Sequence, residues 1–241
     1  MSATNKYWNK SPLFENCSIL KNVFNPNKCD VLLDKINHLR NNHDQHKEVT
    51  LTKFNYDKTS MNYYQFNFTD SDNFFDDFIE AYNFLLKIYK KNGFNSPWNS
   101  IRHCHQNKGN HSYFLNPQIF EYIPPSNFDW HLHKPKYQKF QLVINLSKRN
   151  RDYKSSLFEI MKDETSSWKI TEEHKQGSIM SFPYDKPHRV TKIKPLQEKS
   201  SIIQRHVHLV MPIHPKEGFE GSFVYLNDFS NKYFPIDADI L

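Results

Sequence analysis

Thirteen histidines are spread through 241 residues, and one pair among them has the type and spacing of a metal site. His131 and His133 lie in "FDWHLH". On a β-strand, residues i and i+2 point to the same face, so two imidazoles can approach one ion from a rigid platform. A third ligand must then come from elsewhere. The segment "GSIMSFPYDKPHRV" supplies His188, which opens a strand after a Phe-Pro turn. Three imidazoles on one side of an ion leave other coordination positions open, as a catalytic rather than a structural site requires.

The other histidine groups read differently. His43 and His46, in the polar loop "NNHDQH", read as surface residues. His103, His105 and His111 have ligand-like spacing in "RHCHQNKGNH", but no expected element fixes their geometry. His206 and His208 share one face of the strand "QRHVHLV" and are taken as outward-facing on a half-exposed strand.

The elements that must position the first group come in two blocks. In the first third of the chain, Asn25 is placed to cap a helix with Pro26 at its first position. Cys29, Leu32, Leu33, Ile36 and Leu39 then form one apolar stripe. A second helix carries Phe74, Phe75, Phe78, Ile79, Tyr82, Leu86 and Tyr89 on one face. Acidic residues crowd its start, lysines its end, and Gly93 its C-cap. "EVTLTKF" and "NYYQFNF" between them read as strands. From residue 113 the pattern changes to short apolar runs near 118–123, 128–133, 139–146, 156–161, 166–171, 177–182, 187–194 and 200–211. Strands at that spacing imply an antiparallel sandwich or barrel. One domain over 1–241 is expected. It comprises a helical N-terminal layer with short strands (1–112), a β core (113–212) and a C-terminal extension (213–241).

In order along the chain, "FEYIPPSNFDWHLH", "FQLVINLS", "YKSSLFEI", "GSIMSFPYDKPHRV" and "EKSSIIQ" resemble the core of the iron(II)- and 2-oxoglutarate-dependent oxygenases, in their prolyl-hydroxylase-like branch. The resemblance covers about residues 118–210 and implies a mainly β fold with N-terminal helices around a double-stranded β-helix, a cupin-like jelly roll. It implies Fe(II) and 2-oxoglutarate as cofactors and O2 as co-substrate. His131 and His188 match the two histidine ligands, and His133 stands where the family has a carboxylate. Lys199 falls where the family places the cation for the distal carboxylate of 2-oxoglutarate, and Ser201 matches the hydroxyl beside it. Tyr122 is a further donor, and Arg205 is the alternative anchor if the register slips. A cation and a hydroxyl suit a carboxylate physically.

His133 in place of Asp leaves several readings open. One is a 2-oxoglutarate enzyme with an altered ligand. Another is a three-histidine cupin-type dioxygenase without that cosubstrate, since Gly177, Pro183 and His188 follow the spacing of the second cupin motif. Against the cupin pattern, Asp185 stands where that motif has a second Gly, and the Glu after His-x-His is missing. A two-ligand site of the halogenase kind, an inactive site, a metal- or sugar-binding module and a nucleic-acid-binding jelly roll complete the set. Asp129 is a poor substitute carboxylate, because it points to the other strand face. By the same alternation, Phe128 and Trp130 are expected to face away from the histidines.

Composition bounds these readings. Twenty Phe and thirteen Tyr can build a sizeable core. The net charge of +6 allows an anionic, peptidyl or nucleotide substrate without choosing one. The densest basic run, "SKRNRDYK", reads as an exposed loop. Cys17, Cys29 and Cys104 form no CxxC pair, which argues against a disulfide framework and a zinc ribbon. No apolar run is long enough for a membrane span and the N-terminus lacks a signal-like stretch, so a cytoplasmic location is expected. Oligomeric state is not legible.

Overall fold

The computed structural model describes residues 17–56, 59–70, 72–133, 137–156, 158–161, 167–170, 175–196, 204–216 and 224–225. Its elements begin with β1 (Ser18–Leu20), α1 (Pro26–Asn42), β2 (Val49–Tyr56), β3 (Thr59–Phe66), α2 (Asp76–Lys91), α3 (Ile101–Gln106) and β4 (Tyr113–Leu115). The eight strands of the core follow: β5 (Gln118–Tyr122), β6 (Phe128–Leu132), β7 (Phe140–Asn145), β8 (Phe158–Met161), β9 (Ser167–Ile170), β10 (Ile179–Pro183), β11 (His188–Val190) and β12 (His206–Val210). β13 (Ile213–Pro215) and β14 (Val224–Tyr225) come last.

Strands β5 to β12 distribute themselves between two facing antiparallel sheets. β5, β7, β10 and β12 enter a seven-stranded sheet of order β1-β10-β7-β12-β5-β3-β2. β6, β8, β9 and β11 enter a five-stranded sheet of order β14-β6-β11-β8-β9. This winding back and forth is the double-stranded β-helix, or jelly roll. The hairpin β2–β3 extends the large sheet through pairing of β3 with β5. In the C-terminal extension β13 pairs with β4 in a separate two-stranded sheet, and β14 joins the small sheet, with Tyr225 opposite His131 of β6.

The helices cover the outer face of the large sheet. Asn25 caps α1 by accepting a hydrogen bond from Asn27 N at 2.9 Å, and the stripe Cys29, Leu32, Leu33, Ile36 and Leu39 is buried. Gly177 fixes how α1 is approached. Its φ is +76°, and a Cβ there would meet the Phe24 carbonyl oxygen at 2.1 Å, so only glycine fits. α2 begins later than its apolar pattern suggests. Asn73–Phe75 form a 3-10 turn capped by Asp72, and Phe78, Ala81, Tyr82, Leu85, Leu86 and Tyr89 are buried behind it.

Strand alternation divides the large sheet into two cores. Ile119, Leu142, Ile144, Val207 and Leu209 pack under the helices. Tyr122, Val143, Met180, Phe182 and Val210 face the space between the sheets, opposite Phe128, Phe158, Ile160 and Val190. β7 is therefore buried at every position, as a strand covered on both faces must be. On the helix side, Glu121 is the one carboxylate of β5. It pairs with Arg40 of α1 and Arg205, and accepts from Asn62 at 2.8 Å and Tyr64 at 3.0 Å. Burial alone would raise its pKa, but Arg40 and Arg205 outweigh that and hold it below the usual carboxylate value.

One sequence expectation changes here. His103 and His105 lie on a short helix, α3, capped by Ser100, and His111 follows the 3-10 turn Lys108–Asn110. His105 is structural: its Nδ1 accepts from Phe68 N at 2.7 Å and its Nε2 lies 3.0 Å from the Leu115 carbonyl. The three cysteines are free thiols. Among the described residues, no helix is long and apolar enough to cross a membrane.

Candidate metal centre

β6 and β11 are neighbours in the small sheet, and their register sets His131 directly opposite His188. Directly paired residues on adjacent antiparallel strands point to the same side. The two rings accordingly meet with centroids 4.1 Å apart. His133, just past the end of β6, completes the group with ring centroids 5.3 Å from His131 and 5.1 Å from His188. One ligating nitrogen from each of the three lies within 4.8 Å of the others.

Backbone carbonyls set the ring orientations. His131 Nδ1 is 2.8 Å from the Asp129 carbonyl, and His188 Nδ1 is 2.9 Å from the Lys186 carbonyl. A carbonyl only accepts, so each Nδ1 carries the proton and each Nε2 presents a lone pair. A proton donated behind the ring is the arrangement that orients a metal-ligating histidine. The third ring, His133, lies flat on Tyr184, 4.4 Å away at 2°. Burial, then the neighbouring His133, pushes the His131 pKa down to about 3, against the Asp129 carbonyl. Burial, then His131, drives His188 well below its ordinary value. Both are neutral at pH 7, as a ligand must be.

The alternation rule fails in one instructive place. Between His188 and Val190 the pairing with β6 slips, so that two residues on β11 span three on β6. This β-bulge brings Phe128 to the side of the histidines, with its ring 4.0 Å from His131. The expectation that Phe128 faces away is corrected accordingly. Trp130 does lie elsewhere, under the guanidinium of Arg189 at 4.7 Å. Asp129 is exposed and its carboxylate accepts from Trp130 N, so it does not join the group.

The three histidines line a cleft between the sheets. Phe128, Phe158 and Phe182 wall it near the imidazoles. Gln118, Gln141 and His208 supply further polar groups. Among the described residues that line it, none is Asp, Glu, Lys or Arg.

Of the residues assigned to the cosubstrate, Tyr122 lines this cleft, and burial raises its phenol pKa far above the ordinary value. Lys199 and Ser201 lie outside the described residues. Arg205 does not reach the cleft. Its guanidinium sits on the helix side, 3.0 Å from Glu121, 2.7 Å from Asn37 Oδ1 and 2.9 Å from the Leu33 carbonyl. The inward-facing set of β12 is instead His206, His208 and Val210. His208 Nε2 is 2.9 Å from His206 Nε2, Tyr153 stacks on His206, and both histidines are buried. Their expected outward placement is therefore reversed, because the helices cover one face of β12 and the small sheet covers the other. Nothing in the local alternation reveals a strand's place in the sheet, and Gln118, Gln141 and Tyr184 carry no motif at all.

No protein-family model matches the sequence, and no curated protein matches it. The likeness is to solved structures and is one of fold. A prolyl-4-hydroxylase from Pseudomonas putida is similar with a TM-score of 0.52 at 10% identity, over 83% of this chain and 93% of that one. A prolyl hydroxylase from Trichoplax adhaerens, solved with a hypoxia-inducible-factor peptide fragment, has a TM-score of 0.51 at 11% identity, over 84% of each chain.

Proposed function

We propose that the protein is a non-haem iron(II), 2-oxoglutarate-dependent oxygenase that oxidises a C–H bond of a substrate entering the cleft. The observation that carries this reading is the convergence of His131, His133 and His188, two of them with Nδ1 tied to a carbonyl, at the mouth of a jelly roll. The donor set fits a divalent ion of the iron class, for which imidazole is a suitable ligand.

Charge favours a dianionic chelator. Three neutral imidazoles leave both charges of the metal uncompensated, and no carboxylate stands among the described lining residues. An unpaired charge in a partly buried site is costly. A keto acid that chelates through its keto oxygen and adjacent carboxylate removes part of that cost, and its second carboxylate lowers the net charge of the site further. Iron(II) with 2-oxoglutarate supplies the activation of O2. The chain's own part is to hold and to exclude: His131 and His188 offer Nε2, Tyr184 keeps the His133 ring in plane, and the phenylalanines keep water out. Lys199, Ser201 and Tyr122 are assigned to the distal carboxylate, Arg205 being engaged with Glu121.

A second reading rests on the neutral lining itself. A three-histidine dioxygenase needs no cation for a distal carboxylate, and no described lining residue is Lys or Arg. Oxygen uptake by the iron-loaded protein separates the two. Uptake that rises on adding 2-oxoglutarate, with succinate formed, supports the first. Uptake indifferent to 2-oxoglutarate supports the second.

A further inference from the structure

A second histidine pair lies outside the barrel. His38 is on the exposed side of the last turns of α1, and His46 follows the 3-10 turn His43–Gln45. Their Nε2 atoms are 3.4 Å apart and their rings meet edge-on, with centroids 5.6 Å apart at 70°. The sequence reading of His46 as a plain surface residue is thereby replaced, since its side chain is 14% exposed.

The His46 ring is fixed from three sides. It stacks on Phe74 at 4.6 Å and meets the edge of Phe75 at 5.3 Å. Its Nδ1 lies 3.1 Å from Asp72 Oδ2. Asp72 is itself held, because its Oδ1 accepts from Phe74 N at 2.9 Å. That backbone bond comes first, with His46 adding to it, in keeping the Asp72 carboxyl below its usual pKa. A carboxylate only accepts, so the His46 proton sits on Nδ1 and the Nε2 lone pair of the neutral ring is aimed at His38. Lys35, the cation over the Phe74 ring, is taken up by Asp77 at 2.6 Å.

Distance separates this pair from the one inside the barrel. His206 and His208 are 2.9 Å apart, an ordinary hydrogen bond. With zinc–nitrogen bonds of 2.0–2.1 Å in tetrahedral geometry, two imidazole nitrogens stand about 3.3–3.4 Å apart. The His38–His46 spacing of 3.4 Å is that of a chelate edge. A carboxylate bonded to the rear nitrogen is how metal-ligating histidines are oriented. We propose that His38 and His46 bind a divalent transition ion of the zinc, nickel or copper class. Asp72 orients His46, and water fills the remaining positions. The ion ties the last turns of α1 to the segment that leads into β2, and stabilises the folded chain by mass action.

Metal-free full-length protein titrated with Zn(II) tests this, with stoichiometry by metal analysis and melting temperature as the second readout. His38→Gln is the informative variant, because His38 is exposed and its loss leaves no buried group unpaired. The expected result is one zinc equivalent fewer per chain in His38→Gln than in the parent, and a smaller zinc-dependent rise in melting temperature. Asp72→Asn keeps the site with affinity weakened about tenfold, as loss of a group behind a ligand does. The comparison holds whether or not the barrel histidines bind zinc, since the readout is the difference made by His38. Equal stoichiometry and equal melting shifts in the parent and His38→Gln would overturn the proposal.

Discussion

His131 and His188 are cross-strand partners in the small sheet, and each turns the proton-bearing side of its ring toward the carbonyl two residues before it. One register relation thus does two things. It brings two rings far apart in sequence to a centroid distance of 4.1 Å, and with each Nδ1 engaged by a carbonyl it is Nε2 that carries the lone pair. His133 lies just past the end of β6, stacked on Tyr184.

The placement of His131 and His188 on paired strands, with His133 beyond the strand end, predicts unequal losses. His131→Ala and His188→Ala should each reduce iron(II) affinity by more than the roughly 10–100-fold typical of groups behind a ligand. His133→Ala should cost less, and His133→Asp should retain or tighten iron. Equilibrium dialysis of the folded variants checks the order. His133→Ala costing as much as His188→Ala would show three equivalent ligands.

Cosubstrate anchoring predicts a second contrast. Lys199→Ala should raise the 2-oxoglutarate concentration needed for half-saturation while leaving the unfolding midpoint in urea nearly unchanged. Arg205→Ala should do the reverse, because Arg205 pairs with Glu121 beneath α1. Steady-state kinetics and urea unfolding on both variants decide it.

The Glu121 network predicts a stability loss remote from the cleft. Glu121→Gln leaves Arg205 buried without its carboxylate, and breaking one side of such a pair costs about 3–5 kcal/mol. The wild-type contribution is complete above the unfolded carboxyl pKa and is lost as pH falls through the depressed folded value. Urea unfolding at neutral pH measures the first effect.

His105 predicts acid lability. Burial holds its folded pKa at about 4, below the unfolded histidine value of about 6.5. Between these values the unfolded chain binds the extra proton, so stability falls as pH drops through that window. The full loss is roughly 3 kcal/mol at 1.36 kcal/mol per unit. Urea midpoints at pH 7 and pH 5 should differ more in the parent than in His105→Gln, which has no proton to gain.

What the sequence disclosed follows from what is local. The α1 stripe and the i, i+2 relation of His131 and His133 depend only on neighbours in the chain, and both are seen. The eight core strands are legible because Pro, Asn and Gly punctuate them. The bulge that turns Phe128 inward, the burial of His206 and His208 and the outward turn of Arg205 depend on which strand lies beside which. A one-residue choice of face on β12 exchanged a presumed carboxylate anchor for an imidazole pair, since strand periodicity makes that choice all or nothing.

The central claim is that His131, His133 and His188 hold iron(II) to which 2-oxoglutarate binds. Anaerobic addition of iron(II) and then 2-oxoglutarate, followed by visible absorption, tests it most directly. A metal-to-ligand charge-transfer band should appear with the wild type and be absent from His188→Ala. Stoichiometric bound iron with no band on adding 2-oxoglutarate would contradict the assignment.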